Sequence, residues 1–148
     1  MKALVIHGPN LNLLGTREPD VYGSLTLADL DDLLRRGAGD LEIEIEIHQT
    51  AREGEFIELL HAGIGKVDGA VVNPGAYSHT SRAIADAIRA VPYPVVEVHL
   101  SNIHAREPWR RHSVTAEAAA GVIAGLGPGS YLAGLAALKA LTEGKGES

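Results

Sequence analysis

Residues 41–48, Leu-Glu-Ile-Glu-Ile-Glu-Ile-His, alternate apolar and polar side chains without a break. Successive side chains of a strand point to opposite faces, so this stretch reads as a strand with one face on a core and the other in water. A strand inside a parallel sheet is covered on both faces and reads as a continuous apolar run, which places residues 41–48 at a sheet edge. Upstream, residues 3–7 (Ala-Leu-Val-Ile-His) are such an apolar run, ending in a polar group, and a loop rich in Gly, Pro and Asn follows over residues 8–24. That combination predicts a buried first strand and a long loop. Thr26 then precedes Leu27, Leu30, Leu33 and Leu34, whose spacing predicts a helix that ends near Gly37 and Gly39.

Downstream the pattern repeats. Residues 53–62 carry Phe56, Leu59 and Leu60 on one side of a helix, and residues 69–73 form a buried strand ending at Asn73. A loop over 74–79 leads to a predicted helix over 80–90, a buried strand over 94–99 ending at His99, and a charged loop over 100–112. Residues 121–126 read as a last short strand and 131–141 as a closing helix. Five strands alternating with helices imply an α/β fold with a parallel sheet covered on both faces through right-handed crossovers. The flavodoxin-like three-layer order 2-1-3-4-5 puts the alternating second strand at the edge, as its pattern requires.

The 148 residues, 45% hydrophobic and 22% charged, suffice for one compact core without disulfides or metals, and no repeat or linker divides them. A single domain over 1–148 is expected. Thirteen basic against nineteen acidic side chains leave a net charge of -6, with no basic tract and no apolar run of membrane-spanning length. Neither nucleic acid nor a membrane is an expected partner. With no cysteine there is no disulfide framework, thiolate nucleophile or Cys-ligated zinc, and with no signal peptide the expected compartment is the cytoplasm.

Ligands of open parallel sheets bind beyond the carboxyl ends of the strands. Strands one, three and four end at His7, Asn73 and His99, and the loops beyond them add Asn10, Asn12, Arg17, Tyr22, His79, Ser101, Arg106 and Arg110. A lone strand-end histidine is more often a hydrogen-bonded anchor than a catalyst, yet three polar strand termini at one edge argue for a site. His7 is the weakest of the three, since the turn Gly8-Pro9-Asn10 behind it can use the imidazole as a cap. The histidine spacings match no zinc signature, and Arg17, Arg106 and Arg110 repel a dication, so no metal is expected. The run Gly125, Gly127, Gly129 has Ser130 where a dinucleotide fingerprint needs glycine, and Lys2, Lys66, Lys139 and Lys145 all lie outside the polar loops. Dinucleotide binding and Schiff-base chemistry are both disfavoured.

Arginines for an anion, histidines for proton transfer and asparagines for hydroxyls remain. Tyr22 stands five residues after Arg17. Its phenol, which titrates near 10 in water, can act as a base near neutral pH only if cations lower that value by about three units, and nearby arginines can supply the field. This set suggests proton abstraction from a small anionic, hydroxylated substrate. The competing readings are a signalling module, which would need acidic residues where His7 and Asn10 stand, and a flavin or nucleotide binder, which would need a phosphate loop and more aromatic residues than one Trp and one Phe.

The stretches HGPNLNLLGTREPDVYG from His7, QTAREGEFIELLH from Gln49, NPGAYSHTSRAIADAI from Asn73, VEVHLSNIHAREPWRRHS from Val96 and GLGPGSYLAGLAAL from Gly125 resemble the type II 3-dehydroquinate dehydratases, in order and over nearly the whole chain. The resemblance implies a flavodoxin-like subunit, a dodecamer built from trimers, and dehydration of 3-dehydroquinate to 3-dehydroshikimate in the shikimate pathway without metal or cofactor. Position by position, it implies that Tyr22 is the proton acceptor, Arg17 the lid arginine that keeps the phenol ionised, and His99 the proton donor to the departing hydroxyl. Asn73, His79, Asp86, Leu100, Ser101 and Arg110 match the substrate-binding set, with Asp86 entering a neighbouring subunit's site, and Asn10 and Arg106 are possible support. Ala51, Ser78 and Arg82 depart from the family's usual Asn, Thr and aliphatic residue; none is a matched catalytic position.

Overall fold

The computed structural model describes residues 1–16 and 19–144, with the backbone alone at Val21 and Tyr22. Arg17 and the Tyr22 side chain therefore lie outside the described residues. Strands β1 (Lys2–His7), β2 (Glu44–Gln49), β3 (Gly69–Asn73), β4 (Val95–His99) and β5 (Gly121–Ala124) form one parallel sheet in the order 2-1-3-4-5. The expected edge position of β2 holds. Its alternation serves the expected purpose, because Ile43, Ile45 and Ile47 join the core while Glu44 and Glu46 are exposed.

Helices cover both faces. On one side α2 (Leu27–Asp40) and α5 (Pro128–Gly144) pack Leu30, Leu34, Tyr131, Leu135 and Leu138 against Val5, Val71 and Val98. On the other, α3 (Glu53–Ala62) and α4 (Arg82–Ala90) pack Phe56, Leu60, Ile84 and Ile88 against Ile6, Val72 and Val95. A one-turn helix α1 (Pro19–Tyr22) and a 3-10 turn at Leu11–Leu13 interrupt the expected loop over 8–24.

Several boundaries differ from expectation, each for a local reason. The helix start at Thr26 holds, with a capping box in which Thr26 Oγ1 accepts from the Asp29 amide and Asp29 accepts from the Thr26 amide. Its end does not: α2 runs through Gly37 and Gly39 to Asp40, and Leu41, Glu42 (φ 58°) and Ile43 turn the chain before β2 begins. Gly37 is a packing residue instead of a stop, since a Cβ there would lie 2.5 Å from Leu132 Cδ2 of α5. The helix expected over 80–90 begins two residues late, at Arg82, because Ser81 caps α4 by accepting from the Ile84 amide at 3.0 Å, and the loop expected over 74–79 holds a 3-10 turn at Gly75–His79. His79 thus lies outside the helix that carries Asp86, as expected. The last strand stops at Ala124 because Gly125 turns with φ 90°, and α5 begins earlier than expected, at Pro128, a residue suited to a first helical turn.

The carboxyl ends of β1 and β3 are held unusually close. His7 pairs with Asn73 in register, and the Gly8 amide donates to the Asn73 carbonyl at 2.7 Å. A Cβ on Gly8 would lie 2.6 Å from the Pro74 carbonyl, so only glycine permits this approach. Among the described residues no helix is long and apolar enough to cross a membrane.

Candidate active site

One cleft opens at the carboxyl ends of β1, β3 and β4. Asn10, Asn73, His79, His99, Leu100, Ser101, Arg106 and Arg110, all expected from the sequence, line it together with Pro9, Leu11, Leu14 and Gly75. Asp86 does not; it is exposed on α4. His7 does not line it either, because its ring turns inward to Tyr131 and Asp31. A recess of about 620 Å³ opens at the other end of the sheet near Met1, Asp68, Tyr93 and Lys139. It lies at the end of a parallel sheet that ligands do not ordinarily use, and no strand terminus from the polar set reaches it.

His99 is the most completely supported group in the cleft. Its Nε2 lies 2.8 Å from Glu97 Oε2, and Glu97 is fully buried in an otherwise apolar strand. The carboxylate also accepts from Ser113 Oγ at 2.6 Å and from Thr115 Oγ1, so each of its oxygens is bonded. A buried carboxylate is costly unless several donors compensate it, and three meet this one. With Nε2 tied to Glu97, Nδ1 is the nitrogen that His99 offers a ligand.

Sequence reasoning missed Glu97, although a signal was present: a carboxylate inside Val-Val-Glu-Val-His, two residues before His99, must share its side of the strand and must find donors. Ser113 and Thr115 carried no such signal, being brought in by the loop after β4.

His79 sits at the end of its 3-10 turn with Nδ1 donating to the His112 carbonyl at 2.7 Å, its ring 6.5 Å from that of His99 and edge-on to Trp109 at 5.1 Å. Burial holds the imidazole below its ordinary value, the His112 carbonyl opposes this, and His99 and Arg110 add to the lowering. Near neutral pH it is a neutral ring whose Nε2 can accept from a hydroxyl. The same shift has a consequence for stability. Because the folded value is depressed, the unfolded chain takes up this proton first as pH falls below about 6.5, and the fold loses stability from there down to the folded value. A His79→Gln variant, measured by denaturant midpoint between about pH 7 and 5, should lose stability less steeply than the parent; equal slopes would show that other groups carry the acid sensitivity.

Arg110 stacks over the Trp109 ring at 4.1 Å and its Nε donates to Glu107, which aims the guanidinium at the cleft wall. Arg106 Nη1 reaches Ser101 Oγ at 3.4 Å. The loop that carries Leu100 and Ser101 is braced from behind, where the Gly127 amide donates to the Leu100 carbonyl at 2.9 Å and Gly125 packs against Asn102. Asn10 holds φ 71° at the start of the Leu11–Leu13 turn, a conformation Asn tolerates better than most residues. Among the described residues no group of three or more His, Asp or Glu side chains is placed to hold a metal ion.

The sequence profile of the family described as dehydroquinase class II matches residues 1–139. The chain belongs to the class II dehydroquinase family. It is 56% identical to a 3-dehydroquinate dehydratase of Geotalea daltonii over 93% of this chain and 96% of that one. It is 53% identical to a catabolic 3-dehydroquinase of Aspergillus oryzae over 86% of this chain and 84% of that one. Among solved structures, the type II dehydroquinase of Butyrivibrio crossotus superposes with a TM-score of 0.92 at 40% identity, covering 94% of this chain and 97% of that one. As a class II dehydroquinase family member the chain is of the lyase type, and its five-stranded order 2-1-3-4-5 is that of the flavodoxin-like subunit.

Proposed function

We propose that this chain is a 3-dehydroquinate dehydratase, a hydro-lyase that converts 3-dehydroquinate to 3-dehydroshikimate at the third step of the shikimate pathway, without metal or cofactor and through an enolate. The observation that carries this reading is the Glu97-supported His99 in a cleft shared with Asn73, His79, Ser101 and Arg110, in a chain of this family.

Tyr22, ionised under the field of Arg17, takes a proton from the carbon beside the ketone, and the electron pair moves onto the ketone oxygen. Hydrogen-bond donors preorganised toward that oxygen lower the cost of its charge. The ketone then re-forms, a carbon–carbon double bond closes, and the hydroxyl beta to the ketone leaves as water with a proton from His99. The substrate carboxylate rests on backbone amides of the loop that starts at Leu100, with Ser101 and Arg110 beside it, an anion nest of the kind turns provide. Asn73 and His79 take the hydroxyl and carbonyl oxygens; Asn10 and Arg106 support the wall.

The 148 residues act as one catalytic domain in the cytoplasm, assembled as a dodecamer of trimers. Asp86 supports the assembly: its side chain is exposed on α4 and outside its own cleft, as a side chain that completes a neighbouring subunit's site would be.

Purified protein given 3-dehydroquinate should produce the ultraviolet absorbance of a conjugated enone, undiminished by EDTA and by prior treatment with substrate and borohydride. No enone would overturn the activity; loss to EDTA would overturn the metal-free mechanism, and loss to borohydride would reveal a lysine imine.

A further inference from the structure

On the side of the sheet covered by α2 and α5, three polar side chains form a hydrogen-bonded chain that ends beside a fourth, Asn73. Asp31 Oδ1 of α2 lies 2.8 Å from His7 Nε2, and His7 Nδ1 lies 2.9 Å from the Tyr131 hydroxyl of α5. The Asn73 side chain acts on the Tyr131 oxygen, and its Oδ1 accepts from the Gly75 amide at 3.1 Å. His7 and Tyr131 are fully buried and Asn73 nearly so. Packing alone does not call for these groups, since apolar side chains of similar size would fill the space without polar atoms to satisfy.

The donor inventory gives the chain one direction. An ionised carboxylate only accepts, so His7 carries a hydrogen on Nε2, and as a neutral ring it presents a lone pair at Nδ1. With that tautomer Tyr131 donates its hydroxyl proton to His7, which leaves its oxygen able to accept from the Asn73 carboxamide. Burial raises the Tyr131 phenol far above its ordinary value, so it remains a hydroxyl donor. The Gly75 amide on Oδ1 demands the same orientation of the Asn73 amide. Asn73 Nδ2 keeps one more hydrogen, and Asn73 lines the cleft.

We propose that Asp31, His7 and Tyr131 are positioning residues for the reaction, which lock the Asn73 carboxamide with its N–H presented to the cleft as a donor to a substrate oxygen. The proposal rests on the reading of Asn73 as a substrate-binding residue. A free carboxamide can present either end at little cost, and a flipped one would offer an oxygen to an oxygen. The chain thus extends the site from the strand tip to α2, on the face of the sheet opposite Glu97.

Two measurements test it on the full chain. Imidazole nitrogen NMR, with the His7 signals assigned by their loss in His7→Asn, should find His7 protonated at Nε2 and bare at Nδ1; the opposite tautomer overturns the proposal whatever the activity. A double-mutant cycle on kcat/KM then tests the coupling. Tyr131→Phe should lower kcat/KM about tenfold, the scale of one hydrogen bond to a ligand, but should have no further effect in an Asn73→Ala background. A damaging Asn73→Ala combined with equal Tyr131→Phe losses in both backgrounds would overturn the relay alone. A harmless Asn73→Ala would overturn the binding role of Asn73 and the relay with it. Should Tyr131→Phe fold poorly, Asp31 gives the same answer from the chain's more exposed end: Asp31→Asn, which keeps an acceptor for His7 Nε2, should recover most of the kcat/KM lost in Asp31→Leu, and equal losses in the two would count against the proposal.

Discussion

Replacing His99 with alanine should lower 3-dehydroshikimate formation by about 10²- to 10⁴-fold, the contribution expected of a positioned proton donor. The ring is buried at the cleft wall and its Nε2 is committed to Glu97 at 2.8 Å, which leaves Nδ1 for a ligand. No other described histidine lining the cleft is held in this way: His79 is neutral near pH 7, and its Nδ1 proton is given to the His112 carbonyl. The loss should fall on one half of the reaction. If Tyr22 is the base of the proposed mechanism, exchange of the substrate's hydrogen beside the ketone should persist in His99→Ala while product formation collapses, because the enolate would form and be reprotonated. The check is deuterium incorporation into recovered substrate against enone formation. Equal losses of both would mean that His99 holds the substrate instead of protonating the leaving hydroxyl.

Glu97 should give the second largest effect, divided between stability and turnover. In Glu97→Ala, the donors on His99, Ser113 and Thr115 that converge on the carboxylate lose their common acceptor inside the protein. Removing one member of such a buried charged cluster costs about 3–5 kcal/mol, enough to threaten the fold of a domain this size. Glu97→Gln keeps the shape and one acceptor oxygen, and a Ser or Thr hydroxyl can rotate to accept from the new amide, so most of the stability should return. Turnover should not return. His99 would lose the carboxylate that fixes its tautomer and ring plane, a change that costs about 10²-fold or more where a histidine shuttles protons. Denaturant midpoints together with kcat for the two variants separate the effects. A Glu97→Gln enzyme of near-parent stability and near-parent kcat would reduce Glu97 to a packing residue.

The alternating residues 41–48 were enough to place β2 at the sheet edge, because a strand wet on one face has no interior position in a parallel sheet. The polar ends of β1, β3 and β4 were enough to say where a ligand binds, because all parallel strands end at the same side of the sheet. Which of those ends reach the cleft was not legible. His7 and Asn73 are register partners with side chains on the same face, yet Asn73 lines the cleft and His7 turns to Asp31 and Tyr131. The difference is made by a residue 24 positions away on α2 and another 124 away on α5. Helix α2 overran its expected end for the same kind of reason. Gly37 looks like a terminator in one dimension and is a contact surface for Leu132 in three.

The sequence by itself therefore determined the fold class, the strand order, the edge of the sheet that carries the chemistry and, through motif stretches spanning nearly the whole chain, the family. These follow from local periodicity and from residue types that recur at set spacings. Only the tertiary structure decided that Glu97 is the partner of His99, that Ser113 and Thr115 meet its buried carboxylate, and that His7 turns inward to Asp31 and Tyr131. A buried polar group announces in sequence that it needs partners; which partners meet it depends on how the layers of the fold close over it.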